Sequence, residues 1–207
     1  MSNNSTPIVY IVDDDDAVRD SLSLLLDSVD LPNKSYPSAT AFLASFQAQD
    51  ISQMMGCILM DIRMPGISGM ECQQTLSNLQ CNLPIIFITG HGDVPMAVEA
   101  MKRGASEFIQ KPFREQELLD CIQAALQKNQ KTQQDLHYIS QIKARLDLLT
   151  KREEEVMKRV IAGQANKVIA NELNLSQRTI EIHRANVMEK MQAKSLAELV
   201  TMVLTQD

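Results

Sequence analysis

The sequence predicts an α/β domain with a doubly wound, five-stranded parallel sheet, followed by a long helix and a small all-α domain. Two observations support this prediction. Short apolar runs alternate with amphipathic stretches from residue 8 to about residue 125, as in a parallel sheet with crossover helices. The last 60 residues carry a series of helix-capping signals.

Four apolar runs are predicted to be strands, and a weaker fifth candidate lies around residues 34–36. The runs are IVYIV (8–12), GCILM (56–60), PIIFI (84–88) and SEFIQ (106–110). The stretches between them are long enough for crossover helices at roughly 15–29, 38–48, 68–79, 94–103 and 114–127. In the third of these helices, Met70 and Leu76 flank the polar pair Gln73 and Gln74. Five strands with five helices make a doubly wound sheet, whose functional edge lies outside the carboxyl ends of the strands.

Residues 127–147 are predicted to be a helical linker between two domains. The segment 127–141 is rich in Gln and poor in apolar side chains, and no Gly or Pro occurs between Pro112 and Gly163. Apolar residues keep an approximate helical spacing through the segment, which favours a long helix. The alternative is a disordered Gln-rich tether.

Four short helices are predicted after the linker, at roughly 151–162, 166–173, 177–191 and 195–204. Two capping boxes support them, Thr150 with Glu153 and Ser195 with Glu198. Ser176 is a further cap candidate, and Gly163 is expected to end the first helix.

The net charge of −6 is unevenly distributed along the chain. Residues 1–126 hold 7 Lys and Arg against 16 Asp and Glu, net −9, whereas residues 127–147 and 148–207 carry net +2 and +1. A phosphate-binding surface is therefore permitted in the C-terminal part. No apolar run approaches the ~20 residues that cross a bilayer, and no signal peptide is recognisable, so we expect a cytoplasmic protein without membrane contact. Four cysteines without metal-ligand spacing are expected to be reduced thiols.

Carboxylates follow two of the predicted strands. Asp13 and Asp14 end the first strand and Asp61 ends the third, so the three should meet at one sheet edge. Crowded carboxylates with oxygen-only ligands favour a hard cation such as Mg²⁺. Thr89 follows the fourth strand and Lys111 the fifth, and these groups together suit phosphoryl transfer. The alternative is that the acidic run of residues 13–16 merely begins a helix.

At these residues the chain resembles the receiver domain of response regulators, over roughly residues 7–126. The motifs that carry the resemblance are VDDD, LMDIRMPGISG, FITGHGDVPMAVEAMKRGA and FIQKPF. The resemblance implies a receiver domain at 1–126 in which Asp61 accepts a phosphoryl group from a sensor histidine kinase. It further implies Mg²⁺ held by Asp14, Asp61 and the Arg63 backbone carbonyl, with Asp13 acting through water.

The same resemblance implies roles for side chains around the phosphoacceptor. Thr89 and Lys111 would contact the phosphoryl group, and Phe108 would be the aromatic switch residue that turns inward when Thr89 moves. The Lys111–Pro112 bond would be a cis peptide, which an X-Pro bond adopts at modest cost.

The helix predicted at 177–191 has two distinct faces. Ile180, Val187 and Met191 form one stripe, the natural core face. The opposite side suits a reader of base edges in the DNA major groove, and phosphate contacts are expected from further cations. The candidate DNA-binding residues are Lys167, Arg178, Thr179, Glu181, Ile182, Arg184, Ala185 and Lys190, with Glu189 also on the outer face. For each of them the alternative is a solvated surface residue.

The run from Leu148 to about residue 204 resembles the LuxR-type helix-turn-helix of the NarL/FixJ group. The resemblance implies a DNA-binding domain at 148–207, with 166–173 as positioning helix and 177–191 as recognition helix. The last helix is a candidate dimer contact through Leu196, Leu199, Val200 and Val203. Many relatives carry a cation where this chain has Glu181, so the base contact expected there is left open.

These resemblances imply a phosphorylation-controlled transcription regulator that catalyses no reaction other than its own phosphorylation and dephosphorylation. Its expected partners are a sensor histidine kinase, promoter DNA, RNA polymerase and, after phosphorylation, a second copy of the chain. Whether phosphorylation acts by dimerisation or by unmasking the recognition helix is left open. Two alternatives remain: a Mg²⁺-dependent phosphohydrolase working through an aspartyl phosphate, and a DNA-binding protein whose receiver dimerises independently of phosphate.

Overall fold

The computed structural model describes residues 6–46, 54–90 and 94–205. The chain divides into two compact units, the first ending at Gln133 and the second beginning at Gln134. None of the helices among the described residues is long and apolar enough to span a membrane.

The N-terminal unit contains a five-stranded parallel sheet, as predicted. Its strands are β1 (Ile8–Val12), β2 (Asn33–Tyr36), β3 (Gly56–Met60), β4 (Ile85–Thr89) and β5 (Glu107–Gln110). Their order across the sheet is β2-β1-β3-β4-β5, and every neighbouring pair is parallel. The order reverses between β1 and β3, so a crevice is expected at the carboxyl ends of these two strands.

Helices cover both faces of the sheet. They are α1 (Asp16–Asp27), α2 (Ala39–Ala44), α3 (Gly69–Asn78), α4 (Val94–Lys102) and α5, which begins at Glu115. Side chains of α2, α3 and α4 pack on one face around Phe42 and Phe87, and those of α1 and α5 pack on the other around Leu26 and Ile122. Helix α2 ends at Ala44, earlier than the predicted range 38–48. Residues 47 and 48 of that predicted range lie outside the described residues.

Gln73 departs from the predicted polar face of α3. The side chain is buried, and its amide donates hydrogen bonds to the carbonyls of Ala100 (3.3 Å) and Arg103 (3.2 Å) at the end of α4. Burial is tolerated because the amide satisfies carbonyls that a helix C-terminus leaves without intrahelical partners.

The long helix predicted between the domains is present. Helix α5 (Glu115–Leu146) joins the predicted fifth helix and nearly all of the predicted linker in one element of 32 residues. Asn129 is buried in the N-terminal unit, where it accepts a hydrogen bond from Gly56 N (2.9 Å) and donates one to Asn82 O (3.0 Å). The Gln-rich segment therefore begins as part of the sheet domain, because its amide side chains bond the amino-terminal ends of the strands.

The C-terminal unit contains the four predicted helices, α6 (Lys151–Ile161), α7 (Asn166–Leu173), α8 (Gln177–Met191) and α9 (Leu196–Leu204). Thr150 and Glu153 form the predicted capping box. Of the residues expected to form a dimer contact on α9, Leu199 is fully buried in the core of its own domain and Val203 packs partly against that core. Leu199 therefore faces its own domain rather than solvent, and Val203 does so in part, because α9 needs an apolar stripe to bind its own domain.

We predict that Gly56→Ala lowers the free energy of unfolding of the N-terminal unit by roughly 3 kcal/mol or more. Gly56 has φ +144°, and a Cβ there would lie 1.8 Å from the backbone oxygen of Ile8. Gly104→Ala is the matched control, since Gly104 also has positive φ (+92°) but open space around the added carbon, so strain alone should cost about 1 kcal/mol. Urea unfolding followed by circular dichroism measures both, and equal losses would show that the close approach is unimportant.

Candidate functional site

Three carboxylates lie together at the carboxyl edge of the sheet. Asp13 follows β1 and Asp61 follows β3, and the backbone holds them in register through a hydrogen bond from Asp61 N to Val12 O (2.8 Å). One carboxylate oxygen from each of Asp13, Asp14 and Asp61 lies within 4.8 Å of the others. The set consists of hard oxygen donors at the sheet edge where the strand order reverses between β1 and β3, so it fits a divalent cation such as Mg²⁺.

Asp61 is the acid most affected by this crowding. Its residue is 9% exposed. Burial and the neighbouring charge of Asp13 raise the pKa of its carboxyl group, and Lys111 together with a hydrogen bond from the Thr89 side chain partly opposes that rise. The Arg63 backbone N–H also donates to Asp61 Oδ2 (3.2 Å). The carboxylate is therefore held under repulsion that a cation would relieve.

Thr89 and Lys111 reach the same place from the carboxyl ends of β4 and β5. Lys111 Nζ lies 2.7 Å from Asp13 Oδ2, and Lys111 N donates to Thr89 O (2.8 Å). Thr89 is buried at the end of β4, one residue beyond the predicted strand boundary. The Lys111–Pro112 bond is cis, as expected. Part of the FITGHGDV motif, residues 91–93, lies outside the described residues.

Phe108 lies on β5 opposite Phe87 and is half-buried against the core of its face of the sheet. Arg63 is exposed, and its main chain stays beside Asp61 through the hydrogen bond to Oδ2. Apart from Phe108, the receiver-type residues singled out from the sequence therefore lie at the carboxyl end of a strand or just after it. Phe108 lies inside β5 rather than at its end, at the margin of the core.

Two residues near the site were missed from the sequence. Gly69 begins α3 so close to the end of β3 that a Cβ there would lie 2.3 Å from the backbone oxygen of Asp61. Its position inside the PGISG run, at the start of a predicted helix, is a signal that could have been used. Arg19 donates from Nη1 to Asp13 O (2.7 Å) and pairs with Asp16, but nothing in a lone helical arginine indicates this.

The proposed reading face of α8 is exposed, and its core face is buried as predicted. Ile180, Val187 and Met191 are buried. Solvent-facing residues include Ile182, which is 54% exposed although apolar. The other exposed candidates are Lys167, Arg178, Glu181 and Ala185.

Three further DNA-binding candidates have partners within their own domain. Arg184 donates to Asn166 Oδ1 (2.7 Å), and the Thr179 hydroxyl lies 2.8 Å from that of Ser176. Lys190 Nζ lies 2.6 Å from Glu153 Oε2. Arg184 and Lys190 are only half-exposed, so both cations also stabilise the domain, and a phosphate would have to compete with these partners.

Glu153 is the buried partner that holds Lys190. Burial alone would raise the pKa of this carboxyl group, but hydrogen bonds from Lys190 and from the Thr150 N–H and hydroxyl outweigh it and lower the pKa to about 2. The ion pair is therefore intact at neutral pH. It joins the start of α6 to the end of α8.

Comparison with protein families matches both parts of the chain. Residues 9–123 match the response regulator receiver domain, and residues 147–203 match the bacterial regulatory proteins of the luxR family. The second match begins at residue 147, one residue before the predicted domain boundary at 148.

Relatives resemble the chain along nearly its full length. It is 45% identical to response regulator protein TmoT of Ectopseudomonas mendocina, over 96% of this chain and 88% of that one. It is 47% identical to the transcriptional regulatory protein FixJ of Rhizobium meliloti, over 95% of this chain and 94% of FixJ. The solved structure of the response regulator StyR superposes with a TM-score of 0.87 at 42% identity, covering 97% of this chain and 99% of StyR.

We predict that Asp61→Asn raises the thermal unfolding midpoint of the N-terminal unit by a few degrees in the presence of a chelator. The amide removes the buried charge that burial and Asp13 disfavour. Added Mg²⁺ should stabilise the wild type and leave the variant nearly unchanged. Asp20→Asn is the control, because Asp20 is exposed and forms no hydrogen bond or ion pair with the described residues. A variant less stable than wild type in chelator would contradict the account of the cluster.

Proposed function

This chain belongs to the response regulators that join a receiver domain to a LuxR-type DNA-binding domain, the NarL/FixJ group, and on that premise we propose that it is a transcription regulator switched by phosphorylation of Asp61. The observation that carries the proposal is the convergence of Asp13, Asp14 and Asp61 with Lys111 and Thr89 at one sheet edge. A carboxylate nucleophile beside a lysine and a hydroxyl donor, in a cluster of oxygen ligands that fits a divalent cation, suits transfer of a phosphoryl group.

Phosphorylation would begin with attack of an Asp61 oxygen on the phosphorus of a phosphohistidine in a sensor kinase. The P–O bond forms as the P–N bond breaks, and the imidazole is the leaving group. Asp13, Asp14, Asp61 and the Arg63 carbonyl would hold Mg²⁺, which supplies positive charge to the phosphoryl oxygens. Lys111 would turn from Asp13, its present partner at 2.7 Å, to the new phosphoryl oxygens.

The switch would run from Thr89 to the surface of the receiver domain. The Thr89 side chain now bonds the Asp61 carboxylate, so added phosphoryl oxygens would draw it to a new position. Phe108, half-buried on the adjacent strand, would fill the space that Thr89 leaves. The altered surface comprises α4, β5 and α5, where Val94, Val98 and Met101 are exposed apolar side chains available to a second copy.

Dimerisation would then bring two α8 helices to paired half-sites on promoter DNA, and the linked second contact raises affinity. Arg178, Glu181, Ile182 and Ala185 would face base edges, and Lys167 would bind a phosphate. Thr179, Arg184 and Lys190 are weaker candidates because each has a partner within its domain. Contact with RNA polymerase, with activation as the result, completes the proposal.

We predict that beryllofluoride with Mg²⁺ converts the wild-type protein from monomer to dimer, because it occupies the position of a phosphoryl group on Asp61. Asp61→Asn should remain monomeric under the same conditions. Sedimentation velocity measures both. A dimer in both proteins, with or without beryllofluoride, would support a receiver that dimerises independently of phosphate, and a response of Asp61→Asn would exclude Asp61 as the phosphoacceptor.

A further inference from the structure

The recognition helix α8 is held at its C-terminus by residues that precede the DNA-binding domain predicted from the sequence. Arg145, in the last turn of α5, donates from Nη1 to the carbonyl oxygen of Met191 (3.1 Å), the final residue of α8. Ile142, one turn earlier, is fully buried in the core cluster that contains Met191 and Val187. Both contacts lie within the C-terminal unit.

The loop after α5 adds a third contact at the same end of α8. Lys190 Nζ donates to Leu148 O (3.2 Å) as well as pairing with Glu153. Helix α8 ends at this point because Gln192 adopts a left-handed conformation, φ 54°, so the carbonyls of the last turn have no continuing helix to bond. The Arg145 guanidinium supplies a partner, and its charge is favourable at a helix C-terminus.

These contacts matter because they act on the last turn of α8, beside the core that α8 shares with α6 and α9. Three of its fifteen residues are buried, and its outer face must stay free for DNA under the proposed function. Its N-terminal end is capped by Ser176, and its middle is tied to the first residue of α7 by the bond from Arg184 to Asn166. The C-terminal end is held by Ile142, Arg145 and the loop after them, together with the α6 and α9 side chains around Met191 and the pairing of Lys190 with Glu153.

We propose that the last two turns of α5 are a clasp that positions the recognition helix, with Arg145 as its polar residue and Ile142 as its apolar one. The proposal rests on the proposed function, since it assigns the clasp a part in DNA recognition. Because α5 is one helix from Glu115 to Leu146, the element that carries the clasp also packs on the receiver sheet at its other end through Leu118 and Ile122. Because Arg145 and Ile142 contact α8, a change in the conformation of the last turns of α5 would alter the position of the recognition helix directly.

The test compares three full-length variants: Arg145→Gln, Arg145→Lys and Lys143→Gln. Lys143 is the matched control, since it lies on the same helix, carries the same charge, and its exposed side chain makes no hydrogen bond or ion pair in the part of the chain that the structure describes. Lysine at 145 keeps a cation that can donate to a single carbonyl, so it should restore most of the function.

Two readouts are measured for each protein. The first is amide hydrogen exchange of residues 186–194, which needs neither DNA nor phosphorylation. The second is affinity, by fluorescence anisotropy in beryllofluoride and Mg²⁺ at one salt concentration, for a duplex that the wild type selects from a random pool and for an unselected duplex.

Arg145→Gln should speed exchange in the last turn of α8 and weaken binding to the selected duplex about tenfold, which corresponds to the loss of one charge-assisted hydrogen bond. The affinity of Arg145→Gln for the unselected duplex should fall no further than that of Lys143→Gln, because each variant loses one positive charge and binding to this duplex depends on charge alone. Arg145→Lys should recover both readouts.

The clasp is overturned if exchange in residues 186–194 is the same in Arg145→Gln as in wild type. It is equally overturned if Arg145→Gln and Lys143→Gln weaken both duplexes to the same extent, because Arg145 would then act only as a charge near DNA. Failure of the proposed function looks different, since the wild type itself would then select no duplex while the exchange result would still stand.

Discussion

Repulsion among three carboxylates is the constraint on which the receiver half of the molecule depends. The reversal of strand order between β1 and β3 brings Asp13 and Asp61 to neighbouring strand ends, and their oxygens, with one of Asp14, lie within 4.8 Å of one another. Such a cluster is unfavourable by itself: burial is the main cause that raises the pKa of Asp61, and the charge of Asp13 raises it further. The packed core beneath supports it, since β1, β3 and β4 are buried on both faces. The same repulsion favours positive charge at the site, which Lys111 supplies now and which a divalent cation would supply in the proposed cycle.

Close backbone packing fixes the geometry around that cluster. Gly69 allows α3 to start against the Asp61 peptide, and Gly56 allows β3 to pass the Ile8 carbonyl. Asn129 then bonds the amide of Gly56 from α5. A helix that resembles a linker in the sequence thus helps to hold β3, the strand that precedes Asp61, while its last turns contact α8.

Much of this arrangement could be predicted from the sequence, because buried parallel strands produce apolar runs and strand ends collect polar side chains. The buried parallel strands, the long helix and the core face of α8 follow from such local patterns. Strand β2 gave a weak signal because NKSY lies at the sheet edge, where burial is incomplete. Gln73 was predicted on a polar face because its partners, the carbonyls of Ala100 and Arg103, belong to another helix. Lys190 was assigned to DNA phosphate for a similar reason, since its pairing with Glu153 spans 37 residues and arises only when α6 packs on α8.

The central claim is that the state of Asp61 controls how the C-terminal domain binds DNA. Its most direct test is the affinity of wild type and Asp61→Asn for a duplex selected by the activated wild type, measured in Mg²⁺ with and without beryllofluoride. The account predicts that beryllofluoride tightens binding of the wild type by at least about tenfold, through linkage of two DNA-binding domains, and leaves Asp61→Asn unchanged. Equal affinity of the wild type in both conditions would contradict it.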